Sequence, residues 1–178
     1  MAMRFRSTPL SGVQVIDLDI HDDARGCFAR LYCEDAFAGA GFEFRPRQIN
    51  LSGNTRALTL RGLHYQAAPH GESKVVQCLR GRIFDVAVDL RPQSPTHRQW
   101  FGIELAPALR RMLVISEGFA HGFITLEDDS DVLYLMGRAY EPSAQCGVRW
   151  DDPAFAIAWP AQPQVMSPRD ESFSDYQP

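Results

Sequence analysis

Lys74 to Leu90 reads KVVQCLRGRIFDVAVDL. Apolar and polar side chains alternate in both halves, Val, Ile and Phe dominate, and Arg80-Gly81 interrupts the run. The stretch is therefore expected to form two strands joined as a β-hairpin. In its second half Ile83, Asp85, Ala87 and Asp89 point one way while Phe84, Val86, Val88 and Leu90 point the other. Asp85 and Asp89 are expected to be hydrogen-bonded structural carboxylates.

Further strands are expected at Val13 to Asp19, Ala57 to Gln66, Gln99 to Leu105, Arg111 to Ile115, Gly122 to Leu126 and Asp131 to Met136, each bounded by Gly, Pro, Asp or Ser. Short strands at that density predict an all-β sandwich or jelly roll. One short helix is expected at Cys33 to Ala40, where Glu34 and Asp35 favour a helix N-terminus. From Pro160 onward the chain carries four of its twelve prolines. That segment is expected to lie over the surface as a tail rather than build the core.

A chain of 178 residues, 45% of them apolar, is long enough for one well-buried domain. No repeat, low-complexity tract or glycine-serine linker divides it. A net charge of -4 argues against nucleic acid or an anionic membrane as partner, because those demand a basic face. The sequence has no apolar run of about 18 residues and no N-terminal apolar segment followed by a small-residue cleavage site, so a cytoplasmic, soluble protein is expected. Cys27, Cys33, Cys78 and Cys146 are scattered without C-x-x-C spacing and read as small core side chains in a reducing compartment.

On Arg61 to Gln66, alternation places Gly62, His64 and Gln66 on one face and Arg61, Leu63 and Tyr65 on the other. A second histidine, His121, sits in EGFAHGF, between glycines that let backbone approach a ligand. Neither histidine belongs to an H-x-H pair, so a metal site is weakly supported. His70 and His97 lie in polar turns and are expected to face solvent. Lys74 is the only lysine, against seventeen arginines.

RGLHYQ, GESKVVQCLRGRIFDVAVDLRPQSPT, EGFAHGF, DVLYLMGRAY and GVRWDDPAFAIAWP, in that order, resemble the sugar-nucleotide epimerases typified by dTDP-4-dehydrorhamnose 3,5-epimerase, from about Leu10 to Asp170. The resemblance implies a cupin-type jelly roll, a homodimer, no metal or organic cofactor, and epimerisation of a 4-keto-6-deoxyhexose carried on a nucleoside diphosphate, in deoxysugar supply for a polysaccharide or glycosylated metabolite. It divides the single domain into N-terminal strands and a dimer arm (residues 1–50), a jelly-roll core (51–150) and a C-terminal tail (160–178). A C4 carbonyl acidifies the hydrogens at C3 and C5, so the reaction needs a base, a donor or cation for the enolate oxygen, and an acid.

By resemblance His64 is the base, suited by an imidazole that exchanges protons near neutrality. Asp170 is the carboxylate that orients it, Lys74 the enolate-stabilising cation, Tyr140 the acid, and Tyr134 a second tyrosine of the pocket. Arg61 and His121 approach the diphosphate, and Gln48 and Asn50 line the cleft. Arg25 reaches the neighbouring subunit's nucleotide, and Phe28 adds aromatic surface near the base. Two positions depart from the family pattern. Arg30 stands in RGCFAR where a glutamate contacts thymine; since a guanidinium only donates and a carboxylate only accepts, CDP- or GDP-linked sugars are live alternatives. Leu135 replaces a lysine that many relatives carry. Competing expectations are a single-carbon epimerase, a metal-dependent cupin isomerase or dioxygenase, and a non-catalytic sugar-nucleotide-binding cupin.

Overall fold

The computed structural model describes residues 2–177. Its strands are β1 (Met3–Ser7), β2 (Val13–Leu18), β3 (Ile20–Asp23), β4 (Gly26–Ala29), β5 (Gln48–Asn54), β6 (Leu60–Gln66), β7 (Lys74–Arg80), β8 (Ile83–Asp89), β9 (Trp100–Leu105), β10 (Arg111–Ile115), β11 (Phe119–Thr125), β12 (Ser130–Met136) and β13 (Gln145–Gly147). The short helices are α1 (Glu34–Gly39) and α2 (Pro168–Glu171). One sheet runs β1-β2-β10-β7-β12-β5 and the other β13-β6-β11-β8-β9, while β3 and β4 form a separate two-stranded hairpin. The architecture is the cupin-type jelly roll. No helix among the described residues is long and apolar enough to cross a membrane.

The hairpin expected at Lys74 to Leu90 does not form. β7 pairs with β10 and β12, whereas β8 pairs with β9 and β11. Alternation reports that each half is a two-faced strand but says nothing about its partner, and Arg80-Gly81 is the corner that carries the chain from one sheet to the other. The orientation within β8 holds. Ile83 and Ala87 enter the layer between the sheets, where they meet Val15, Val76, Leu113, Phe119 and Phe123. Val86, Val88 and Leu90 pack on the opposite face with Leu63, Val148 and Phe155.

A third apolar layer covers the outer face of the larger sheet, where Phe37 of α1 joins Phe42, Phe44, Ile16, Met112 and Leu135. Burial on both faces explains why β8 and β11 read as nearly continuous apolar runs, β11 being buried at every residue. Burial also accounts for Leu135: it points into this outer layer, away from the cleft that Tyr134 faces.

Two further expectations are corrected. Of the tail's described residues only Asp170 is buried; Tyr176 packs half-buried against Leu63, Val88 and Phe155, and its hydroxyl meets His97 Nε2 at 3.0 Å, so His97 anchors the tail instead of facing solvent. Of the cysteines only Cys78 is buried; Cys33 and Cys146 are half-buried, and Cys27 is exposed on the β3–β4 hairpin.

Candidate active site

The site is built where β6 meets β11. His64 stands opposite His121 and Arg61 opposite Phe123, so Gly62 and Leu63 together face the single residue Gly122. This is a β-bulge, and it breaks the expected alternation. Arg61 turns into the same cleft as His64, while Leu63 remains in the outer cluster. The bulge depends on glycine: at Gly62 φ is 130°, and a Cβ there would lie 2.6 Å from Gly122 Cα.

The cleft, about 470 Å³, gathers Gln48, Asn50, Arg61, His64, Lys74, His121, Tyr134 and Tyr140 from five segments of the chain. A depression of about 540 Å³ elsewhere, lined by Gln14, Glu43, Glu117 and Arg138, contains no histidine. Only the former of the two combines imidazoles with an ammonium and phenol hydroxyls.

His64 Nε2 lies 2.7 Å from Asp170 Oδ1. Ser167 caps α2 through the backbone N–H of Asp170, and the N–H of Gly62 donates to Asp170 Oδ2 at 3.2 Å. The ring of Phe173 meets the imidazole edge-on, its centroid 5.7 Å away, and occupies the space that a side chain at Gly147 would fill. Burial pushes the Asp170 carboxyl up, but the hydrogen bond and charge of His64, with help from Gly62 and Ser167, bring it below the ordinary carboxylate value. An ionised Asp170 accepts from Nε2–H, which leaves Nδ1 of a neutral His64 with the lone pair that takes up a proton.

Lys74 opens β7 and is almost fully buried, with Nζ donating to Glu72 Oε1 at 2.9 Å. His121 is also buried, and its Nε2 meets Asp85 Oδ1 at 2.8 Å. Asp85 therefore partners a cleft histidine, a role its alternation alone did not suggest. The Tyr134 ring rests edge-on against His121, centroids 5.8 Å apart. Burial, and secondly the Asp85 carboxylate, hold the Tyr134 hydroxyl well above the ordinary tyrosine value against the opposing pull of Arg61. Tyr140 sits half-exposed at the rim, its hydroxyl donating to Gln145 and its backbone N–H to Gln48.

Glu72, Gln66 and Gln145 also line the cleft and were not singled out from sequence; for Glu72 the available signal was its place two residues before the sole lysine. Arg25, Phe28 and Arg30 are not brought to the cleft of their own chain. Arg25 is exposed and paired with Asp23, and Phe28 is 66% exposed on the hairpin. Among the described residues no group of three or more His, Cys, Asp or Glu side chains is placed to hold a metal ion.

Residues 7–177 match the family model for dTDP-4-dehydrorhamnose 3,5-epimerase. The chain belongs to that family. A dTDP-4-dehydrorhamnose 3,5-epimerase from Methanothermobacter thermautotrophicus is 43% identical over 160 residues, 89% of this chain and 85% of the relative. A dTDP-4-dehydrorhamnose 3-epimerase from Streptomyces niveus is 41% identical over 170 residues, 95% and 82% of the two chains. The crystal structure of the Bacillus anthracis 3,5-epimerase, with TDP and pyrophosphate bound, superposes with a TM-score of 0.95 at 34% identity, covering 98% of this chain and 100% of that one. This epimerase thus matches its relatives over nearly its whole length.

Proposed function

We propose that the protein epimerises a dTDP-linked 4-keto-6-deoxyhexose at C3 and C5, using its own side chains for proton transfer. The observation that carries this reading is the 2.7 Å pairing of His64 with Asp170 in one cleft with a buried ammonium and two tyrosines. His64 removes the proton α to the carbonyl, and Lys74 stabilises the oxygen that gains charge. A tyrosine returns a proton from the other face.

The geometry favours Tyr134 over Tyr140 for that last step. Tyr140 is at the rim and its hydroxyl is engaged by Gln145. Tyr134 is half-buried in the cleft wall with its ring against His121, and its hydroxyl is held in the protonated form a donor needs. Arg61 and His121 bind the diphosphate, and Gln48 and Asn50 the sugar and nucleoside. The relatives' dTDP-sugar names support thymidine over cytidine or guanosine, with Arg30 in place of the glutamate. The protein acts as a homodimer in which Arg25 and Phe28 of the exposed hairpin reach the partner's cleft.

Incubation in D2O with dTDP-4-keto-6-deoxyglucose tests the reaction. Deuterium at both C3 and C5 is expected, and no exchange with dTDP-, CDP- or GDP-linked substrate would refute it. The 3-epimerase name of the Streptomyces niveus relative favours a second reading, inversion at C3 alone, which deuterium confined to C3 would establish.

A further inference from the structure

Glu72 lies two residues before Lys74, and the two side chains form an ion pair of 2.9 Å with only 9% and 5% of their surfaces exposed. The second carboxylate oxygen of Glu72 accepts from Gln66 Nε2 at 2.9 Å. Gln66 is itself fixed, because its Oε1 accepts the backbone N–H of Glu141 at 2.7 Å. A chain of contacts therefore runs from the segment after Tyr140, through the strand that carries His64, to the ammonium. A lysine has four flexible side-chain bonds and three N–H donors. One donor is committed to Glu72, which leaves two for an oxygen in the cleft.

We propose that Glu72 is the positioning residue for Lys74: clamped by Gln66, it fixes the ammonium at one point of the cleft so that the cation already stands where the substrate oxygen gains charge. This rests on the epimerase reading for the role of Lys74, but the placement itself does not. A cation held before the reaction needs no rearrangement as charge develops, and misplacement by an ångström costs about 100-fold in rate. The pair is also neutral as a unit, so in the resting site the ammonium is no general attractor for anions. Its interaction grows as the oxygen becomes an enolate, the condition for accelerating the step instead of tightening the substrate complex.

Because Lys74 is the only lysine in the chain, protein grown with lysine labelled with 15N at Nζ gives one side-chain ammonium signal. In the wild type this signal should report restricted motion. In Glu72→Gln, which keeps the shape but removes the charge, it should report the motion of a free lysine. Exchange kcat should fall by about 10- to 100-fold while KM moves by less than about threefold. In a Lys74→Met background the same substitution should cost less than about threefold, since Glu72 acts through the lysine.

A lysine as rigid in Glu72→Gln as in the wild type, an unchanged kcat, or an equal loss in the Lys74→Met background would overturn the proposal. Should Glu72→Gln fail to fold, Gln66→Ala removes the clamp alone and must still loosen the ammonium. If wild-type protein exchanges no nucleotide sugar, the epimerase reading fails, and the ammonium signal still decides whether Glu72 positions the lysine.

Discussion

His64 and His121 stand directly opposite each other across β6 and β11, and each imidazole rests on a carboxylate, Asp170 at 2.7 Å and Asp85 at 2.8 Å. The surroundings differ. Asp170 also accepts from Gly62, whereas Asp85 is fully buried and its second oxygen has no hydrogen-bond partner. Removing His121 strands Asp85 without a donor, and His121→Ala is expected to lose about 3 kcal/mol of stability. His64 is one-third exposed and leaves Asp170 its backbone donor, so His64→Ala should lose about 1 kcal/mol or less. Chemical denaturation of the two variants checks the order.

The same two histidines should separate differently in activity. His64→Ala and Asp170→Asn are each expected to lower solvent exchange by about 10²- to 10⁴-fold, and the double variant should be little worse than either alone, because the pair works as one unit. Multiplicative losses would show that Asp170 acts independently of His64.

Tyr134→Phe should still let deuterium wash out of the starting sugar, because His64 remains to remove and return it, while blocking inversion by about 100-fold or more. Tyr140→Phe should reduce inversion by less than about tenfold, through loss of the Gln145 contact at the rim. Nuclear magnetic resonance of substrate and product pools distinguishes the two, and the reverse ranking would return the acid role to Tyr140.

Acid stability should depend on Asp89. Its burial pushes the carboxyl up, but bonds from Arg91, Ser94 and Thr96 outweigh this and bring it down to about 2. With the folded value depressed, the stabilisation is fully present above the unfolded carboxylate value of about 4 and is lost as pH falls toward 2. The contribution is about 2 kcal/mol, so Asp89→Asn should unfold at lower temperature at neutral pH and show a flatter dependence of Tm on pH between 4 and 2.

The proposed reach of Arg25 into the partner's cleft makes a complementation test available. Arg25→Ala and His64→Ala homodimers should both be impaired, yet unfolding and refolding them together should recover about a quarter of wild-type sites, since half the dimers are mixed and each holds one intact cleft. No recovery would mean that Arg25 serves its own chain or none.

Much of this molecule is legible in its residues, for reasons that differ by element. β2, β10 and β12 have buried faces and strong β-formers, so their limits are found within a residue. β5 escaped notice because it carries Gln48, Asn50 and Ser52, a polar face turned to the cleft. Strand pairing at Arg80-Gly81 was not legible, since periodicity carries no partner. The bulge at Gly62-Leu63 was equally hidden, because one extra residue reverses the facing of Arg61 without altering the local composition. Family resemblance supplied His64, Lys74 and Asp170, and the structure brings His64 and Asp170 together from 106 positions apart. The partners of Glu72 and Asp85, Lys74 and His121, become visible only when the fold shows which buried charges meet.

The docking of the tail has a consequence for how competence is acquired. Asp170 is delivered by a segment that also seats Phe173 over Gly147 and Tyr176 against His97, so the barrel can close around a histidine that still lacks its carboxylate. Gain of activity during refolding should therefore lag behind formation of the sheets and coincide with burial of Tyr176. In such a fold catalysis works as a built-in inspection, reporting that the final stretch of polypeptide has found its seat.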